Sequence, residues 1–533
     1  MDIEARPSLD RAKRGSPRRR SEGISRPLSR PRCARPTAPL RKGSRVWRLP
    51  PLCKGAGNGG GPKVNKPKNM KHSFDFSPEL IRFAELVRLR GAELFVVGGH
   101  VRNTLLGLPL SDTDVTSALR PEEIEALCGE AGIKTVPKGA AFGMVEVHMG
   151  GISFEHTTFR SDVYAEGGAH RPAKVSYSDS PYEDAFRRDF TVNALYASVP
   201  AGEVIDPTGG LRDIEARLIR TTAEDPETIL RDDGLRIMRL CRFAAELGFD
   251  IEEKTFAAAK KCALLLRDIS AERIRDELQK ILLADVKYGL PAQESVLRDL
   301  HLLDEVGALD VILPELARCR GVPQSPKFHR FPVLEHIFRT VELSEPILEV
   351  RLACLLHDIA KPVRLAEQGN MHGHDAEGEI MAREILRRLR FDGATIETAS
   401  WLVRRHMYDL DGNAKESTLK RRFAEWGRER VELLAFVREA DFNGSLGEVR
   451  SVKSAVRWRR ILNDMIESGA PFSEDDLDCT GRDIMDWTGL PPSPRIGEIK
   501  RTLFMHCAAR PKDNERERLK KLVRDIEGGK RIK

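Results

Sequence analysis

The chain has 533 residues, 32% of them charged and 41% hydrophobic, with a formal net charge of +7. That length exceeds one core and implies three or four domains of ~150 residues each. No apolar run approaches the ~20 residues a membrane-spanning helix needs, and nine scattered cysteines without a C-x-x-C pair indicate neither a disulfide framework nor a thiolate zinc site.

A reducing cytoplasm fits this cysteine usage. The charge is unevenly placed. Residues 1–69 hold 19 Lys and Arg against 4 Asp and Glu, a surplus of 15, so the rest of the chain carries −8. Any nucleic-acid surface in the folded part must then be a local basic patch. The Arg-, Pro-, Gly- and Ser-rich stretch 1–69 lacks apolar periodicity and is expected to be disordered. An RNA-binding arm and an organelle-targeting peptide are both open, although Asp2, Glu4 and the prolines spoil a targeting helix. Amphipathic signal begins only after Met70, which makes Met70 an alternative start.

Residues 76–90 read as a helix capped by Ser77-Pro78, with Leu80, Phe83, Ala84 and Val87 on one face. The stretch 94–116, LFVVGGHVRNTLLGLPLSDTDVT, comes next. Leu94–Val97 is a short buried strand. Gly98-Gly99 permits a tight turn and close approach of a ligand to the backbone. Val101–Leu106 is a short helix whose N-terminus offers backbone N–H groups to an anion, with Arg102 adding paired donors. Asp112 and Asp114 follow in a strand-like segment, where period two puts them on one face. Two carboxylates that close repel unless a cation lies between them, and Mg²⁺ suits oxygen ligands and phosphate. Taken singly, the Gly pair is a turn and the Asp pair a solvated strand end. Together they suggest metal-assisted phosphoryl or nucleotidyl transfer.

Residues 121–131 are expected to be helical, and 143–158 to form a hairpin about Gly150-Gly151. Glu155, in its second strand, is either a third carboxylate of the metal site or a surface residue. Residues 161–180 read as a mobile loop. RRDFTVNALYAS (187–198) reads as the start of an apolar helix, with Asp189 and Asn193 on one face beside Arg187 and Arg188. That is a candidate substrate wall. RDDGLRIMRLCRFAAELGF (231–249) places Arg236, Arg239 and Arg242 on one ridge, with Asp232 and Asp233 a turn earlier. Such a ridge either reads a base edge or forms intrahelical ion pairs. Residues 270–283 form a helix capped by Ser270.

Six of the thirteen histidines fall between 329 and 406. His336 lies on a helix, His357-Asp358 ends another, His374 and His406 follow, and Asp441 lies further on. Imidazole and carboxylate suit a divalent metal, and this ordered set points to convergence on one. The last part, from about 456, is helical and strongly charged, with an RNA backbone contact as a rival to simple solvation.

VGGHVRNTLLGLPLSDTD, TTFR (157–160), RRDFTVNAL, DPTGGLRDI (206–214), DDGLRIMRLCRFAAELGF and ISAERIRDEL (269–278) occur in this order. They resemble the motifs of the bacterial class II tRNA nucleotidyltransferases and related poly(A) polymerases. Residues 321–441 resemble an HD phosphohydrolase domain, and 480–525 a C-terminal RNA-binding part. The resemblance implies an α/β nucleotidyltransferase palm, a mixed sheet plus helices, followed by an extended all-α body that includes the HD domain. It partitions the chain into a basic tail (1–69), palm (70–222), helical neck with a nucleotide-selecting helix (223–320), HD domain (321–455) and RNA-binding region (456–533). It implies that Asp112 and Asp114 hold two Mg²⁺ ions, and that Gly99 and Arg102 bind nucleotide phosphates. Arg188, Asp189 and Asn193 would contact ribose and phosphate. Asp233 and Arg236 would pair with the base edge of CTP or ATP, supported by Arg239, and tRNA would be the acceptor. His336, His357, Asp358 and Asp441 would bind a divalent transition metal such as Ni²⁺ or Mn²⁺. His374 and His406 would add a second metal or a phosphate contact. Three departures stand out: Asn103 where the family often has Asp, Ser111 where a Lys often precedes the first metal Asp, and Asp232 for a usual Glu. None is a proposed metal ligand, so activity is expected. The resemblance implies template-independent addition of CCA to tRNA 3′ ends; rivals are A-adding, CC-adding or poly(A) activity, a non-catalytic RNA-binding protein, and an HD hydrolase alone.

Overall fold

A computed structural model describes residues 74–110, 112–137, 143–163, 174–287 and 295–530. The tail 1–69 and Ser111 lie outside the described residues. Residues 70–533 form one compact unit.

A seven-stranded mixed sheet fills the N-terminal part. Its strands are β1 (Phe95–Val97), β2 (Asp114–Ser117), β3 (Lys134–Pro137), β4 (Met144–Met149), β5 (Ile152–Thr158), β8 (Tyr196–Ser198) and β9 (Val204–Ile205), in the order β3-β4-β5-β2-β1-β8-β9. β1 lies between antiparallel partners β2 and β8, whereas β2 and β5 run parallel. The β1 side chains alternate between two cores. Val96 packs with Phe83, Val101 and Ile124, while Phe95 and Val97 pack with Phe159 and Tyr196 on the opposite face. Each fully buried side chain of this size contributes ~1.5–3 kcal/mol by leaving water. The helix Pro78–Leu89 covers the first core, with the Ser77 hydroxyl accepting from the Leu80 N–H. The Gly150-Gly151 hairpin forms, with Met149 opposite Ile152.

Three expectations need correction. Residues 187–198 are not a helix. Thr191–Asn193 is one 3₁₀ turn, and Tyr196–Ser198 is strand β8. The Phe190 bridge to Thr221 and the pairing of β8 with β1 override the helical spacing. Residues 161–180 are not simply a loop: β6 (Arg160–Val163) and β7 (Lys174–Tyr177) pair antiparallel, and 164–173 lie outside the described residues. Third, 231–249 is not one helix. One helix ends at Asp232, Asp233 is extended, and the next spans Leu235–Leu247.

After residue 220 the chain is almost wholly helical. One continuous apolar cluster runs from Phe190 to Val523 and joins these helices into a single core. The DPTGG turn has a specific job here. A Cβ on Gly210 would lie 2.2 Å from the Thr191 carbonyl oxygen, so no other residue lets this segment press against the 3₁₀ turn. Gly210→Ala is therefore expected to destabilise the palm by about 1–3 kcal/mol, seen as a lower urea midpoint.

Candidate active site and metal centre

Gly98 ends β1 with φ +73° and opens the helix Gly99–Leu106. A β-carbon there would be strained, and would approach Asn193 and the Arg188 guanidinium. The turn thus brings the helix N-terminus and Gly99 alongside Arg188. Arg102 is buried, bonds Asn193 Oδ1, and donates to Asn103 Oδ1 at 2.9 and 3.1 Å. Asn103, in place of the usual Asp, still supplies the acceptor.

Asn193 Nδ2 donates to Asp189 at 3.2 Å, and Arg239 donates to the other Asp189 oxygen at 2.5 and 2.9 Å. A tight turn, not a helix face, joins Asp189 to Asn193. Burial would raise the Asp189 acid; Arg239 outweighs burial and holds it at about 2. Arg188 is fixed by Asp184 at 2.9 Å and the Tyr196 hydroxyl at 3.0 Å. Asp184 is fully buried; Arg188 and Arg187 overcome its desolvation and hold it at about 2.

Arg187, Arg188, Asp189 and Arg239 wall a cleft of about 240 Å³ that also includes Asp233, Arg236 and Arg273. Asp233 receives a two-pronged ion pair from Arg273 at 2.6 and 3.1 Å. Arg236 donates to the carbonyls of Ile229 and Arg187 at 2.8 and 2.7 Å. Arg242 does not join them. It is buried between Glu246 and Glu277 at 2.9 and 2.5 Å, so ion pairing explains that member of the ridge. Asp232 lies 3.8 Å from Arg236. Sequence reasoning missed the role of Arg273: helical spacing carries no sign that it meets a carboxylate 40 residues earlier.

Asp112 lies just ahead of β2 and Asp114 opens it, in register with Glu155 across the parallel pair. Asp114 keeps solvent contact. Crowding by protein atoms and then the Glu155 charge nevertheless push its acid up to about 6; Asp112 adds to the rise, and Arg188 and Arg239 oppose it. Asp114 thus feels the charge of Arg188 and Arg239, two of the arginines that line the cleft. Asp112, Asp114 and Glu155 are the residues that would hold a cation here.

A second cluster lies in the helical body. His336, His357 and Asp441 form one buried group, and Asp358, His374 and His406 another, with donor atoms within 4.8 Å in each. The Nδ1 atoms of His357, His374 and His406 face backbone carbonyls of Cys354, Met371 and Val403 at 2.7–2.8 Å. Those contacts place the proton on Nδ1 and leave Nε2 as a lone pair. The Nε2 atoms of His336 and His357 are 3.0 Å apart, and those of His374 and His406 3.1 Å apart. Lone pairs that close call for a cation or a shared proton. One oxygen of Asp358 faces His336 and His357 at 3.4 and 3.2 Å, and the other faces His374 at 3.3 Å. The donor set fits divalent metal, which His336, His357, Asp358, His374, His406 and Asp441 would hold. Without metal, burial would lower His336, but Asp358 and Asp441 outweigh it and raise it to about 9.

The fold and these sites define a nucleotidyltransferase palm joined to an HD domain. Residues 94–220 match the poly A polymerase head domain, 248–290 the probable RNA and SrmB-binding site of polymerase A, and 333–441 the HD domain. The chain is 31% identical to the A-adding tRNA nucleotidyltransferase of Deinococcus radiodurans, over 76% of this chain and 90% of that one. It is 30% identical to the CCA-adding enzyme of Geobacillus stearothermophilus, over 83% and 95%. The crystal structure of the Bacillus stearothermophilus CCA-adding enzyme in complex with CTP superposes with a TM-score of 0.63 at 25% identity, covering 85% of this chain and 99% of that one. The chain belongs to the tRNA nucleotidyltransferase and poly(A) polymerase family, and it is a nucleotidyltransferase.

Arg239→Gln should leave a buried carboxylate without its cation, at a cost of about 3 kcal/mol at pH 7. Asp189 in the parent has a depressed acid, so its contribution is present above pH ~4 and is lost as the pH falls toward 2. The variant's deficit should therefore shrink below pH 4, as read from urea midpoints across pH.

Proposed function

We propose that the chain adds C and A from CTP and ATP to tRNA 3′ ends, without a nucleic-acid template. The observation that carries the reading is the cleft where Asp233 and Arg236 meet Arg188, Asp189 and Arg239, two of whose arginines act electrostatically on Asp114. Asp112 and Asp114 would hold Mg²⁺, which when bound supplies charge for the departing pyrophosphate and acidifies the RNA 3′-hydroxyl. Glu155 would add a third negative charge. Gly98 and Gly99 let the triphosphate approach the backbone, and Arg102 and Arg188, each locked by its own acceptors, present fixed positive charge. Asp233 accepts from the exocyclic amino group that cytosine and adenine share, while Arg236 donates to the adjacent ring nitrogen. A uracil or guanine carbonyl at that place would face the carboxylate and be rejected. Arg273 and Arg239 hold Asp233 and Asp189 in position. The basic groove containing Lys415, Arg421, Arg501 and Arg510 suits an RNA backbone.

The likeness to the A-adding Deinococcus radiodurans protein supports a second reading, addition of A alone. Incubation with tRNAs lacking one, two or three terminal nucleotides, each with CTP, ATP or both, separates the two through the product's 3′ sequence. Asp112→Ala and Asp114→Ala should each lower incorporation at least 10³-fold, on the scale of losing electrostatic catalysis, with an unchanged far-UV spectrum; appreciable residual incorporation would refute the metal assignment.

We further propose that the histidine cluster hydrolyses a phosphoester with Ni²⁺ or Mn²⁺. In a 2′,3′-cyclic nucleotide assay, His357→Ala should abolish hydrolysis and leave nucleotide incorporation intact. Equal hydrolysis by parent and variant would remove the HD reading.

A further inference from the structure

Beside the histidine cluster lies a cleft of about 400 Å³, within the size range of small-molecule sites. Its walls include Arg404, Arg405, Tyr408, Arg422 and Trp426. The chain sets it next to the buried imidazoles. Asp375, also on its wall, follows His374, and Arg405 and Met407 flank His406.

The chemistry of this wall is specific. The Arg405 guanidinium lies over Trp401 at 4.4 Å and Trp426 at 5.6 Å. Among the described residues no hydrogen bond or ion pair reaches it. Arg404, by contrast, is paired with Asp375 and Arg422 with Glu425. Tyr408 and Trp426 meet edge to face with ring centres 4.9 Å apart, and Trp401 meets Trp426 at 5.4 Å. Three arginines thus share a cleft with one acid and two aromatic rings. A guanidinium fork with unused donors suits a phosphate. An indole or phenol wall suits a nucleobase, because every base has a stackable face. Solvation alone would not gather both features into one concave site.

We propose that this cleft binds a nucleotide, with its phosphate on Arg405 and Arg422 and its base against Trp426 and Tyr408. The ligand is either a free nucleoside monophosphate or the last nucleotide of an RNA that ends in a phosphate. The proposal rests on the HD reading only for what happens to the phosphoester; binding stands on the cleft itself.

The test uses the full chain as purified, without added magnesium. The probes are adenosine 3′-monophosphate, a short single-stranded RNA ending in a 3′-phosphate, and inorganic phosphate. Arg405→Gln should weaken all three about tenfold or more and leave nucleotide incorporation at the palm unchanged. Trp426→Leu should weaken the nucleotide and RNA but not inorganic phosphate, and Trp426→Phe should restore them. Tighter binding of the RNA than of the mononucleotide identifies an RNA end as the ligand, and equal binding identifies the free nucleotide. Parental affinity in Arg405→Gln overturns the proposal, as does absence of nucleotide binding by the parent chain. Affinity lost instead in Asp233→Ala also overturns it by placing the binding in the palm. Where the parent hydrolyses 2′,3′-cyclic adenosine monophosphate, an unchanged KM in Arg405→Gln counts against the cleft. Intact binding with no hydrolysis removes the HD reading and leaves the cleft standing.

Discussion

The contact on which the catalytic half depends is the acceptance by Asp189 of hydrogen bonds from both Asn193 and Arg239. Asp189 precedes the short turn that leads into the sheet, and Arg239 belongs to the first long helix of the body. One buried carboxylate therefore fixes two walls of the cleft at once. Asn193 passes the constraint to Arg102, beside the glycine turn, and Phe243 lies under the guanidinium groups of Arg102 and Arg239 at 5.1 and 5.2 Å. Charged groups that are to act on a bound substrate need fixed positions, since misplacement by about 1 Å costs rate steeply. Here the fixing comes from neighbours that are themselves buried.

A buried acid held by cationic neighbours recurs at the histidine cluster. Asp358 lies between two pairs of imidazoles, each ring oriented by a backbone carbonyl or a neighbouring acid. Lys361 approaches Asp358 at 2.6 Å, and Arg438 approaches Asp441 at 3.1 Å. Asp358 and Asp441 are, like Asp189, acids in the interior kept ionised by nearby cations, and Arg438 lies on the same helix as Asp441. The difference lies in access. Asp112 and Asp114 stand at a strand end near solvent, whereas the HD acids are enclosed by helices.

Much of this was legible in the residues. The glycine turn, the acidic pair and the His/Asp set are local in sequence or follow one another in order, so spacing and side-chain chemistry suffice to find them. The strand at 196–198 was not legible, because FTVNALYAS has helical spacing and only pairing with β1 decides otherwise. Gly234, next to the break at Asp233, lies so close to Leu265 of another element that a β-carbon would press on it. Arg242 looked equivalent to Arg236 and Arg239, yet Glu277, 35 residues on, draws it away from the cleft. The Arg273–Asp233 pair was equally invisible. What sequence leaves open in each case is a contact between distant segments.

The unbroken apolar cluster from Phe190 to Val523 has a mechanical consequence. Helices on either side of an exposed turn, such as that at Asp411–Asn413, share the same interior. A backbone nick there would not free the fragments. They would stay clasped by the same side chains that bury each other in the intact chain, and would come apart only when that interior is flooded.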